Sequence, residues 1–270
     1  MAARVVAGLG SDRTHVIVAL RNLGRLLPSS WQQYLKYGRT TPYERWLRSM
    51  FDPEYDGSVT PTFWRRNDHG AVVDRWARIV GPDRVTVLVL EDVSHDALFV
   101  AFAELLGVPD DLLTSRMNLR PNRSMTAAES EFLRRLNKSV KGQLDWRDYE
   151  DLVRDGVAAA LVSGRRPARD EPRLHTPDWA LDAAAERAGD HVAQIRASGA
   201  RVLGDLDALT ERVPTTPAVP KDQLERLPTD AVVETVASAV LARSGQPRRA
   251  SARETLDRVR SGVAARIPWR

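Results

Sequence analysis

The sequence predicts an α/β protein built on a partial parallel sheet, with a largely helical C-terminal half. Two observations carry that expectation. Residues 14–20 (THVIVAL) and 84–90 (RVTVLVL) are β-branched and almost continuously apolar, as strands covered on both faces are. Each is followed by a stretch in which apolar residues recur at helical spacing, and strand–helix alternation is the rhythm of a parallel sheet.

Taken in chain order, residues 2–9 end a helix that feeds directly into the first strand. Residues 29–37 then place Trp31, Tyr34 and Leu35 at helical intervals, with Pro28 in a first-turn position. Residues 68–80 form an amphipathic helix with Val72, Val73, Trp76, Ile79 and Val80 inward, stopped by Gly81-Pro82. After the second strand, residues 95–106 set Leu98, Phe102, Leu105 and Leu106 on one stripe that ends at Gly107 and Pro109. Thr126 with Glu129 is a capping-box pattern opening the run of Phe132, Leu133 and Leu136. Helices are expected over 146–162 and 178–197. Ser198-Gly199 breaks the pattern before a short extended stretch at 201–206. A Pro- and Thr-rich linker follows at 213–220, then an amphipathic helix at 230–242 and a weaker one at 251–267. The expected organisation is an α/β domain over 1–212, a Pro-rich connection over 213–229 and a helical tail over 230–270.

Composition bounds the function. Apolar residues make up 43% and charged residues 28% of the 270 residues, as in soluble globular proteins. No apolar run approaches the length of a membrane span, no secretory leader precedes the first strand, and there is no cysteine. A cytoplasmic protein without membrane contact, disulfides or thiolate metal sites is the expectation. The formal charge of +4 is carried almost wholly by arginine, lysine standing only at Lys36, Lys138, Lys141 and Lys221. Basic and acidic residues are interspersed, and no nucleic-acid recognition motif occurs, so nucleic-acid binding is not expected. HExxH, Gly-x-Ser-x-Gly and paired metal-spaced histidines are also missing from the sequence.

Arg21 follows the first strand, where open α/β sheets place ligands, and Ser29 comes eight residues later. With Ser29 opening a helix, a phosphate there would meet a guanidinium, a hydroxyl and free backbone N–H groups. The plainer reading, Arg21 capping carbonyls and Ser29 an N-cap, is compatible with the same spacing. His69, beside Asp68 in a first turn, is the one histidine to inspect as a general base, with a solvated surface residue the plainer reading. Tyr34, Tyr37, Tyr43, Trp31 and Trp46 read mostly as helix–helix core, with Arg39, Arg45 and Arg48 among them able to face an acidic acceptor.

The stretch VIVALRNLGRLLPSSWQQYLKYG resembles the 3′-phosphate-binding segment of sulfotransferases that use 3′-phosphoadenosine 5′-phosphosulfate (PAPS), with Arg21 and Ser29 at the positions of that family's Arg and Ser. VLVLEDVSHDALFVAFAELLGVP is similar to the family's second such strand, with Glu91-Asp92 and Leu105-Leu106-Gly107 at matching places. Asn122-Arg123-Ser124, EFLRRLN and SGARVLGDL resemble its bacterial branch, so the likeness runs with gaps from Ala2 to Leu209. It implies a P-loop-type parallel sheet, PAPS as co-substrate and sulfuryl transfer to an acceptor hydroxyl or amine. One departure stands out. The family's 5′-phosphosulfate loop, a Lys in a Gly-rich turn after a strand, has no counterpart in this sequence, nor does its His base. The expectation is therefore a sulfotransferase-like chain that starts downstream of that loop, keeps a nucleotide half-site and is inactive alone, with an unknown small-molecule acceptor. The alternative is a non-catalytic interaction module on the same fold, with a homodimer possible.

Overall fold

The computed structural model describes residues 2–52, 54–55, 62–90, 95–114, 123–164 and 166–243. In chain order they form α1 (Ala2–Leu9), β1 (Val16–Leu20), α2 (Leu23–Leu35), α3 (Tyr43–Phe51), α4 (Phe63–Asn67), α5 (His69–Val80), β2 (Val85–Val89), α6 (His95–Leu106), α7 (Asp110–Thr114) and α8 (Ala127–Val140). Then come α9 (Trp146–Tyr149), a π-helical segment (Glu150–Ala158), α10 (Ala159–Ser163), α11 (Asp178–Ala197), β3 (Arg201–Leu203), α12 (Lys221–Leu224) and α13 (Thr229–Arg243). The chain is mixed α/β, mostly helical around one small parallel sheet.

That sheet has the order β1-β2-β3. Val16 lies opposite Val85 and Leu20 opposite Val89, while Thr86 lies opposite Arg201 and Leu88 opposite Leu203. All three strands are parallel, so their carboxyl ends meet along one edge. β2 is buried at every position, which explains its unbroken apolar sequence. Its one polar residue, Thr86, shares a 2.8 Å hydrogen bond with His15 Nε2, so its hydroxyl is satisfied in the core. Val85, Val87 and Val89 pack with Val73, Ala77 and Val80 of α5 and with Val192 and Ile195 of α11.

A second core lies among the helices. Leu23, Leu27, Trp31 and Leu35 of α2 meet Trp46 and Leu47 of α3, Phe63 of α4, Leu133 of α8 and Val153 and Leu161 farther on. The aromatic run is thus largely core: Trp46 sits edge-on to Phe63 at 5.5 Å and Trp31 lies 5.2 Å from Tyr43. The expected capping box at α8 is present in both halves, Glu129 N–H donating to Thr126 Oγ1 and Thr126 N–H to Glu129 Oε2.

Two expectations need correction. The helix after β1 starts at Leu23, not near Ser29, and Pro28 lies inside it. Asn22, not Ser29, is the N-cap, its Oδ1 accepting from Gly24 N–H at 2.9 Å. The helix expected at 230–242 is present, but it is not amphipathic. Ala231 and Thr235 face inward, while Val232, Val233, Val236, Val240 and Leu241 are 39–63% exposed. It packs on the π-helical segment, where Ser238 Oγ donates to Gly156 O at 3.2 Å. The weaker helix expected at 251–267 lies outside the described residues.

Candidate nucleotide half-site

The carboxyl edge of the sheet is built around Asn22. β1 ends at Leu20, whose carbonyl still accepts from Leu90 N–H at 2.9 Å. Two residues later Asn22, only 3% exposed, caps α2 and donates through Nδ2 to the carbonyls of Ala208, Leu209 and Glu211 at 2.8–3.2 Å. One amide thus fixes both the first turn of α2 and the segment after β3. Gly24 lets that segment close in: a Cβ there would lie 3.1 Å from Val213 and 3.3 Å from Leu181. Across the edge Gly204, at φ +94°, brings the chain after β3 onto Val89, where a Cβ would meet the Val89 carbonyl oxygen at 3.2 Å. Around Asn22, Gly24 and Gly204 the described part of the edge is closely packed backbone.

Arg21 stands exposed at this edge, and it has no hydrogen-bond or ion-pair partner among the described residues. Ser29 is not beside it. It lies six residues beyond Leu23, about 9 Å along the helix at 1.5 Å per residue. Its Oγ donates to Leu26 O at 2.9 Å. Because Asn22 already occupies Gly24 N–H, the helix start also offers fewer free donors than its sequence suggested. The structure therefore brings Arg21 to the strand ends and sets Ser29 farther along α2. Arg25, exposed and one helical turn before Ser29, lies on the same face. Sequence reasoning passed over Arg25, although the four-residue steps from Arg21 to Arg25 to Ser29 carried the signal.

His69 and His191 are not placed to act as a general base at this edge. His69 was expected in solvent, yet it is 6% exposed, and His191 of α11 is 3% exposed. The reason is a close helix contact at Gly70. There α5 approaches α11 so nearly that a Cβ would fall 2.8 Å from Gln194 Cβ. The two imidazoles lie 5.5 Å apart. His191 Nε2 is 3.5 Å from Asp68 Oδ1, and its Nδ1 is buried without a partner. Burial, reinforced by the His191 charge, pulls His69 down to about 4, against an opposing pull from Asp68. Burial also lowers His191, opposed chiefly by Asp68. Both are neutral at physiological pH and shielded from any incoming hydroxyl.

The lysines lie at helix ends or within helices: Lys36 follows α2, Lys138 is in α8, Lys141 follows it and Lys221 opens α12. Glu91, Asp92 and Asn122 lie outside the described residues. Among the described residues no group of three His, Asp or Glu side chains is placed to hold a metal ion. No helix there is long and apolar enough to cross a membrane. Neither a known family model, nor a curated protein, nor a solved structure matches the chain.

Proposed function

We propose that the chain is a sulfotransferase-family protein with a P-loop-type sheet, which holds the 3′-phosphate of PAPS or of its product 3′-phosphoadenosine 5′-phosphate (PAP). Arg21 is the principal contact and Ser29 a peripheral one. The supporting observation is an exposed guanidinium, without a partner among the described residues, at the carboxyl edge of a parallel sheet, where such folds bind ligands. In the family's full-length form, a lysine-bearing loop stabilises charge on the departing phosphate and the sulfuryl group passes to an acceptor hydroxyl or amine. These 270 residues carry no such loop and are expected to transfer nothing alone.

Calorimetric titration with PAP checks the reading. Saturable binding is expected, weakened about ten- to a hundredfold in Arg21→Ala, which removes a charge-assisted hydrogen bond of roughly 1.5–3 kcal/mol. Ser29→Ala should change it far less, since Ser29 Oγ already serves Leu26 O. A folded chain that ignores PAP, or binds it equally well without Arg21, would end the proposal.

One observation favours the second reading, an interaction module that pairs with its own copy. The exposed face of α13 carries Val232, Val233, Val236, Val240 and Leu241 with Glu234 as its one charged residue between them, and the apolar order is self-complementary about positions 236 and 237: in an antiparallel pair Val232 meets Leu241 and Val233 meets Val240. Sedimentation should show a concentration-dependent dimer that Val233→Glu turns into a folded monomer. A wild-type chain that stays monomeric at high concentration would remove this reading.

A further inference from the structure

The two outer edges of the sheet are unlike each other. β3 is three residues long, opens on exposed Arg201 and is followed by Gly204 at φ +94°. A short strand that carries a charge is a poor template for a further strand. β1 has neither defence. It runs Val-Ile-Val-Ala-Leu with no charge, proline or break in its register, and its only neighbour in the sheet is β2.

One bond fixes where the main-chain groups of β1 point. Leu90 N–H donates to Leu20 O, so Leu20 turns its N–H and C=O towards β2. By the alternation of a strand, Val18 and Val16 do the same, while Ile17 and Ala19 turn theirs away. Neither Ile17 nor Ala19 has a hydrogen bond through its main chain among the described residues. The outer edge therefore offers a donor and an acceptor from each, on a strand already held extended by β2.

The surroundings define what fits there. Val16 and Val18 pack with Val73 and Val80 of the sheet core, so a strand laid alongside would extend that core with apolar side chains. On the other face Ala19 is exposed beside half-buried Ile17, and its small side chain leaves room for a larger apolar one. Arg13 before the strand and Arg21 after it are both exposed, with no ion pair among the described residues. Charge complementarity then calls for carboxylates at the two ends of the incoming segment.

We propose that the outer edge of β1 docks an extended segment of another protein, apolar on both faces and flanked by acidic residues. The segment joins the sheet as a further strand, its main chain pairing with Ile17 and Ala19. This goes beyond the nucleotide reading and stands without it, because the pairing atoms belong to the main chain of β1. It is also separate from the exposed face of α13.

The test is amide hydrogen exchange of the whole chain, followed residue by residue by NMR, alone and with the peptide acetyl-Glu-Val-Ile-Val-Glu-amide. In the chain alone, the Ile17 and Ala19 amides should exchange fast and the Val18 amide slowly. Saturating peptide should slow Ile17 and Ala19 by about tenfold or more and leave Val18 unchanged. Ala19→Pro removes an outward donor at a place where an edge strand tolerates proline. It should keep the fold by circular dichroism and lose the peptide. The same peptide N-methylated at its amides should not bind, a control that needs no variant, and one with glutamine in place of glutamate should bind more weakly. The docking site is overturned if the peptide gives no protection, if the N-methylated peptide binds equally well, or if folded Ala19→Pro still binds. It is equally overturned if Ile17 and Ala19 are slow in the chain alone, or slow only as chain concentration rises, when a second copy covers the edge. Equal binding of the glutamine peptide overturns the acidic partner.

Discussion

Replacing Arg123 by alanine is expected to cost about 3–5 kcal/mol of stability, the range for breaking a buried ion pair from one side. Glu129 is fully buried. Both its carboxylate oxygens accept from the Arg123 guanidinium at 2.8 Å, and Oε2 also takes Thr126 N–H. Arg123 further donates to the Leu161 and Ser124 carbonyls. It thereby ties the start of α8 to α10, and removing it strips the buried carboxylate of its cation. A domain has only about 5–15 kcal/mol in total, so the loss should be plain in a urea melt. Arg123→Lys keeps the charge without the two-pronged geometry and should fall between the two. A loss under about 1 kcal/mol for Arg123→Ala would show that the pair contributes little.

Acid should loosen the α5–α11 contact. His69 titrates at about 4 in the folded chain and near its ordinary 6.5 when unfolded. Between those values the unfolded chain binds a proton that the folded chain refuses, so stability rises with pH. The His69 contribution is complete above pH 6.5 and is lost as pH falls to about 4. The loss is about 3 kcal/mol at 1.36 kcal/mol per unit. His191 shifts in the same direction. The charges facing the pair are Asp68 on the α5 cap and Arg187 and Asp190 on α11. Urea melts across this window should lose less stability in His69→Asn than in wild type. Parallel pH profiles for the two proteins would refute the assignment.

The strands were legible because burial on both faces leaves a local mark: β2 is apolar at every position but Thr86. So were α6 and α11, whose stop signals stand beside them in sequence, with Gly107 and Gly199 both at positive φ. The start of α2 was misread because Pro28 resembles a first-turn residue, whereas the functioning cap is an asparagine six residues earlier. Little marked that Asn22 as special, since what it holds lies 186 to 189 residues away. The burial of His69 was hidden for the same reason. It depends on Gly70 meeting Gln194, a fact of tertiary contact rather than local pattern. The place of Arg21 just beyond β1 was legible because strand ends are readable. The stacking of Tyr37 on Trp146 was not, because segments distant in sequence bring the two rings together. Nor could position alone tell that Ser29 is occupied by Leu26.

The long reach of Asn22 bears on how the molecule is made. A ribosome delivers β1 and α2 early, yet the carbonyls that Asn22 clasps arrive almost two hundred residues afterwards, along with the strand that completes the sheet. Closing so large a loop brings no reward until it is finished. The helical segments released in between, from α8 to α11, can gather first around their own apolar faces. During synthesis the nascent chain must therefore carry an unfinished two-stranded ribbon, and the carboxyl edge with its exposed arginine takes shape among the last parts of the fold.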